Sequence, residues 1–313
     1  MRGAIIAGVA TALLCGQAWA ADTKPLYFVV NGASDFWKSA EAGLKKAQAE
    51  LPNYKLQIKY PEQSSAAIQN RLMDDLVASG AAGIMVSAVD PKTQTDELDK
   101  IAGQVALFTT DSDAPRTKRL AYVGSSNVDA GKQAGSLMVK ALPNGGKCMG
   151  FVGLPGADNA RERADGIRDA IKGSKIDLVD VRADDIDQAR AKRNVEDTLT
   201  ARPDITCMVG IYSYNTPQIY QAVKEAGKLG QVTIVGFDED PVTLGGVKEG
   251  TIVGTVVQQP YEWAYQGMKL MAKAIEGDKS GLPTNGLDII PTKIIEKGNV
   301  DAFAAELKQR TGK

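Results

Sequence analysis

Two carboxylates, Asp111 and Asp238, close the apolar runs ALFTT and TIVGF. An ionised carboxylate accepts two hydroxyl hydrogen bonds at once. Hydrogen bonds to a charged group contribute about 1.5–3 kcal/mol each. Two such residues could supply much of the roughly 8 kcal/mol that micromolar binding represents. Other apolar runs end the same way: YFVV on Asn31, GIMV on Ser87, AYVG on Ser125, GTVV on Gln258, and CMVGIY shortly before Asn215. Arg161, in NARER, opens a helical pattern where a positive group is not favoured by the helix dipole, so its five-donor fork points to a ligand or carboxylate partner. Phe36 and Trp37 follow Asn31 and offer aromatic faces suited to the C–H faces of a ring. Together these groups point to a small hydroxyl-rich molecule rather than to bond-making chemistry.

Several neighbours have simpler readings. Ser34 or Asp35 fits a helix cap. Asp113, Glu239 and Asp240 fit solvent or capping positions, and Glu162 and Arg163 fit a surface or interlobe position. A glycosidase pair formed by Asp111 and Asp238 is the competing chemistry, but it needs a defined carboxyl separation that spacing does not reveal. No Walker A loop, G-x-S-x-G elbow or strand-linked G-x-G-x-x-G occurs. The chain has no histidine, which removes Ser-His and Cys-His nucleophiles and His-ligated metals. No cofactor and no metal site are expected.

The elements that must hold these residues are legible. Short β-rich runs alternate with helical patterns across 313 residues, which argues for βαβ units. Five strands are predicted near 26–31, 55–60, 82–88, 104–110 and 120–124. After the turn cluster Pro143-Asn144-Gly145-Gly146 the pattern restarts, with strands near 147–153, 176–182, 205–212, 231–237 and 251–257. The fold class is therefore α/β, two doubly wound parallel-sheet lobes of similar topology, with two short strands and a helix at the end. In such sheets ligands sit beyond the carboxyl ends of the strands, where the polar residues fall. A cleft between two lobes would close about a hinge.

A net charge of −1 without a Lys/Arg run speaks against nucleic acid. Residues 1–20 read as an export signal: Arg2, the apolar stretch Ala4 to Leu14, and an Ala18-Trp19-Ala20 cleavage site. Cys15 lacks the preceding small residues of a lipoprotein site. Export places the mature chain in the periplasm, where Cys148 and Cys207 either form a disulfide or remain two small core residues.

In these residues the sequence resembles the periplasmic sugar-binding proteins of ABC transporters, of the ribose-binding type. The resemblance rests on NGASDFWKSAEAGLKKA, GIMVSAVDP, TTDSDAP, YVGSSNVDAGKQAG, NARERADGI, VGFDEDP and GTVVQQP in that order. It implies three chain crossings, near 125, 258 and 290. The first lobe would then comprise 21–125 plus 259–290, and the second 126–258 plus 291–313. It implies a monosaccharide or polyol as ligand, bound by a monomer and delivered to a membrane permease, with a chemoreceptor as a further partner. Family contacts carry over onto Asn31, Phe36, Trp37, Ser87, Asp111, Ser125, Arg161, Asn215, Phe237, Asp238 and Gln258. The chain departs from the pattern at Ser87, where ribose binders have Asn, and near Asp185-Ile186-Asp187, where they have Phe. Tyr212 or Tyr214 is the candidate replacement for that aromatic wall. The related repressors share the fold but begin with a DNA-binding domain. The alternatives to solute capture are an extracytoplasmic carbohydrate-processing enzyme and a receptor-linked sugar sensor.

Overall fold

The computed structural model describes residues 23–312. The export signal and Cys15 lie outside the described residues. In the first half the elements are β1 (Lys24–Val29), α1 (Trp37–Glu50), β2 (Tyr54–Lys59), α2 (Ala66–Ala78), β3 (Gly83–Val86), α3 (Thr95–Ala102), β4 (Ala106–Thr109) and β5 (Ala121–Gly124). The second half has α4 (Asn127–Ala141), β6 (Gly146–Val152), α5 (Asp158–Ile171), β7 (Ile176–Ala183), α6 (Gln188–Ala201), β8 (Ile205–Gly210), α7 (Asn215–Glu225), β9 (Thr233–Phe237), α8 (Pro241–Glu249) and β10 (Gly254–Val257). The chain then returns through α9 (Pro260–Ile275), β11 (Leu287–Ile289), β12 (Lys293–Ile295) and α10 (Val300–Thr311).

Two six-stranded sheets form, in the orders β11-β5-β4-β3-β1-β2 and β12-β10-β9-β8-β6-β7. They have the same topology, except that β11 runs parallel to β5 whereas β12 runs antiparallel to β10. Strands β3, β5 and β10 are buried along their whole length, as expected for parallel strands covered on both faces. Phe28 joins one core cluster and Tyr27 and Val29 the opposite one, so each lobe is a sheet between two apolar layers. The chain passes between lobes after β5, after β10 and between β11 and β12.

Helices α4 and α5 pack with their backbones in close approach. A side chain at Gly131 would stand 2.2 Å from the Arg163 carbonyl, and one at Gly166 would stand 2.2 Å from the Val128 carbonyl. Only glycine allows this approach. It brings the middle of α5, and Arg163 with it, against the helix that follows the first crossing.

Cys148 of β6 lies directly opposite Cys207 of β8, with Cα atoms 4.4 Å apart, and the two form a disulfide. That resolves the two readings open from sequence. The bond links residues 59 apart, and constraining such a loop in the unfolded chain stabilises by about 4 kcal/mol. The Cys148→Ala/Cys207→Ala double variant is expected to melt on the order of 5–15 °C lower by calorimetry. Ligand affinity should change less than about twofold, because both sulfurs sit in the core rather than among the cleft-lining groups.

Candidate functional site

The carboxyl ends of the two sheets face each other across a cleft with an empty volume of about 380 Å³. Six of the residues singled out from sequence line it: Asn31, Phe36, Trp37, Asp111, Asp238 and Gln258. Asp111 follows β4 and Asp238 ends β9, equivalent positions in the two lobes. Both adopt left-handed backbone, with φ of 54° and 65°. Non-glycine residues rarely do so, and such strain persists only where the surroundings enforce it. The Asp111 carbonyl is held by the Tyr122 hydroxyl (3.2 Å) and Asn127 Nδ2 (2.9 Å), and the Asp238 carbonyl by Thr255 Oγ1 (2.8 Å).

Asp111 is 3% exposed and is the junction between the lobes. From its own lobe Ser87 Oγ donates at 2.8 Å and Asn31 Nδ2 at 3.4 Å. From the other lobe Asn159 Nδ2 donates at 3.0 and 2.9 Å, and Arg163 Nη2 lies at 3.4 Å. Asp238 accepts from the Gln258 backbone and side chain at 3.1–3.3 Å. Burial outweighs the attraction of Arg163 and pushes both carboxyls above the ordinary range. Hydroxyl donors arriving from a ligand would favour the ionised forms again.

The guanidinium in the cleft belongs to Arg163, not Arg161. Arg161 is half-buried and outside the cleft lining, where it pairs with Asp158 and donates to the Gly156 carbonyl. The two residues are about 200° apart around α5, so they cannot face the same way. Arg163, expected at a surface or interlobe position, is 1% exposed. Its Nε donates to Asn127 Oδ1 (2.9 Å), Nη1 to the Ile211 carbonyl (3.0 Å) and Nη2 to Gln258 Oε1 (2.7 Å). Its planar group stacks 5.1 Å from the Phe237 ring and 5.9 Å from Tyr212. The signal was present in the sequence: Ala160, Ala164, Ile167 and Ile171 form the buried stripe of α5, and Arg163 falls on it.

Four other expected residues stand behind the cleft surface rather than on it. Ser87 orients Asp111. Ser125 Oγ donates to the Ile290 carbonyl (3.2 Å), tying two of the three crossings together. Phe237 supports Arg163. Asn215 accepts from the Tyr212 backbone N–H (3.0 Å) and donates to Asp184 (2.7 Å). A strand-end position does not say whether a polar side chain turns to the ligand or to its neighbour.

The cleft also contains groups the sequence reading left out or left unplaced. Asn159 spans the lobes and accepts from the Tyr212 hydroxyl at 2.8 Å. Tyr212 and Tyr214 both line the cleft, their rings 6.4 Å apart and edge to face. The Tyr214 hydroxyl donates to Asp184, a buried carboxylate whose pKa burial raises to about 6. Ile186 also lines the cleft, reaching toward Gly32 of the opposite lobe. It and Asp185 are consecutive left-handed residues, at φ 62° and 56°. That is a costly conformation for a β-branched side chain and marks an enforced loop. Opposite stand Trp37 and Phe36, whose ring centres are 4.9 Å apart, with Phe28 behind Trp37. Ser34 accepts from the Phe36 N–H at 3.3 Å and so shapes the turn that delivers both rings. The arrangement can hold a flat, partly apolar molecule between aromatic faces while its edges hydrogen-bond to both lobes.

Comparison with known proteins gives a consistent answer. Residues 26–279 match the family model described as "Periplasmic binding protein domain". The chain is 26% identical over 272 residues to the ribose import binding protein of Salmonella typhimurium, covering 86% of this chain and 90% of that protein. A solute-binding protein from Burkholderia graminis, solved in complex with D-arabinose, superposes with a TM-score of 0.83 at 27% identity, over 89% of this chain and 97% of that one. A glucose-galactose binding protein from Geobacillus stearothermophilus gives 0.82 at 26% identity, over 88% and 98%.

Proposed function

This chain belongs to the periplasmic binding protein family, and on that footing we propose that it captures a small neutral sugar or polyol between its lobes and delivers it to an ABC permease. The observation that carries the ligand class is the state of Arg163. Every nitrogen of its fork already donates to protein oxygens, and two buried carboxylates flank it. No unspent cation therefore awaits an anionic ligand, whereas Asp238, whose protein donors all come from Gln258, and Asn31 can still accept from or donate to hydroxyls. The sugar-binding relatives support the same class. The cleft residues named above are the proposed contacts. Tyr212, Tyr214 and Ile186 form the wall opposite Phe36 and Trp37.

Capture works through closure. Asp111 and Asn159 meet across the cleft, so a ligand that hydrogen-bonds to both lobes favours the closed shape over the open one. The closed shape is what a permease or a sensory receptor would read, and the binding event is common to both. Delivery to a permease requires an extracytoplasmic location. The proposed unit is a monomer, since both halves of the cleft come from one chain. Members of the family are binding proteins, and a ligand returned unchanged would set this chain apart from a carbohydrate-processing enzyme.

A thermal-shift screen tests the ligand class. Neutral pentoses, hexoses, ketoses and polyols are compared with uronic acids and sugar phosphates. A neutral sugar at a hundredfold its Kd contributes about 2.7 kcal/mol, which should raise Tm by roughly 5–10 °C. The acidic sugars should give no shift. A sugar phosphate or uronate as the strongest stabiliser would reverse the assignment.

A further inference from the structure

Gln258 separates two cavities. One face borders the sugar cleft; the other borders an empty volume of about 350 Å³ at the hinge. Ser39 of α1 and Tyr261 of α9 enclose this second cavity from the first lobe, and Lys293 of β12 and Glu306 of α10 from the second. Glu239, the residue after Asp238, lines it as well. The sequence suggested a solvent or capping role for Glu239. Instead its Oε2 is buried and has no hydrogen-bond partner.

The charges around Glu239 leave it uncompensated. Lys293 and Arg310, the cations facing the cavity, both bind Glu306, at 2.8 and 2.9 Å, and Arg310 also reaches Glu262 at 3.3 Å. The nearest neighbours along the chain, Asp238 and Asp240, are acids; Asp240 is spent capping α8 through the Val242 N–H. Asp35, ahead of α1, adds a further negative charge near Asp240. A buried carboxylate oxygen with no cation or donor facing it favours the neutral form of the group. Burial, and then repulsion from Asp238, pushes Glu239 up to about 8.

Ser39 and Tyr261 of the opposite lobe complete the cavity wall, so parting the lobes admits water to Glu239. We propose that closure takes up one proton at Glu239, and that sugar binding therefore weakens as pH rises through neutrality. This rests on the capture reading given above. In the open form a solvated Glu titrates near the ordinary value of about 4.3. Between that value and the raised one, the closed form holds one more proton than the open form. Closure is thus fully favoured at low pH and loses that advantage as pH climbs through the closed-state value, by up to about tenfold per pH unit.

The test separates the proton from the sugar. Asp90 and Gly156 come from opposite lobes, and a Cβ at Gly156 would stand 4.0 Å from Asp90 Cβ, within disulfide reach. The oxidised Asp90→Cys/Gly156→Cys chain is locked closed without ligand, and its protonated carboxyl band is followed by infrared spectroscopy against pH. A band that survives to neutral pH and vanishes with Glu239→Gln is expected. Its absence from the locked chain overturns the proposal, whatever the Gln variant does. A band that Glu239→Gln leaves intact overturns it equally. Calorimetry then uses the neutral sugar found by the thermal screen, in two buffers of different ionisation enthalpy. Uptake of about one proton near pH 6.5 is expected, with a Kd that rises by roughly 10- to 50-fold from pH 6 to 8 in the parent and stays flat in Glu239→Gln. Binding without proton uptake overturns the coupling. If no sugar binds, the capture reading fails and the infrared titration alone decides the proton.

Discussion

Replacing Arg163 with alanine is expected to weaken sugar binding by about 10²–10³-fold, the cost of leaving a buried charge without its partner. The partners divide between two equilibria. Asn127, the Ile211 carbonyl and Gln258 belong to the second lobe or its hinge, so losing their donor lowers the folding stability of that lobe. Asp111 belongs to the first lobe and meets Arg163 only across the cleft. In the open form water can solvate Asp111; in the closed form it would be desolvated with Asn159 and Ser87 as its main remaining donors. That share of the cost falls on closure, and hence on affinity. Arg163→Lys restores the charge but not the four-way fork, so it should recover only part of the loss. Calorimetry with the bound sugar measures both variants. A Kd within threefold of the parent in Arg163→Ala would remove Arg163 from the site.

The second large effect is expected at Asp238. Asp238→Ala should raise Kd by about 10- to 150-fold, the equivalent of one hydrogen-bonding group that carries charge. Asp238 sits in left-handed backbone at the end of β9, fixed by Thr255 and by its own N–H to the Val256 carbonyl. Removing the carboxylate therefore takes away acceptors without obviously moving the strand. It also frees the Gln258 amide, which donates to both carboxylate oxygens, and so loosens the residue that accepts from Arg163. Asp238→Asn keeps one acceptor and should lose less. Equal losses in the Ala and Asn variants would mean that the charge, rather than the hydrogen-bonding oxygen, is what the ligand reads.

How much of this was legible in the sequence depended on the level of structure. The strands were, because parallel strands buried on both faces leave continuous apolar runs, and the polar residue after each run marks the carboxyl edge. Asp111 and Asp238 were found this way, at equivalent strand ends. Asn215 and Ser87 were found by the same rule, yet they turn toward Asp184 and Asp111 instead of the cleft. Whether a strand-end side chain faces a ligand or a neighbour is decided by tertiary packing. Arg161 and Arg163 differ only in helical phase, and the motif NARER drew attention to the outer residue although the apolar stripe of α5 marks the inner one. The disulfide was open because register is not written in strand composition. Cys148 meets Cys207 only after a shift of pairing at Lys147/Cys148. Ile186 could not be placed in the wall, since two consecutive left-handed residues have no propensity signal. Glu239 was given a solvent or capping role because the cavity that covers it is walled by α1, α9 and α10, each more than 20 residues away along the chain.

The most direct test of the central claim is calorimetric titration of the purified protein with the neutral sugar that stabilises it most, followed by recovery of that sugar. One sugar per chain is expected, returned chemically unchanged, with binding weakened about 10²–10³-fold in Arg163→Ala. Conversion of the sugar to a new product, or tight binding that Arg163→Ala leaves intact, would contradict that claim.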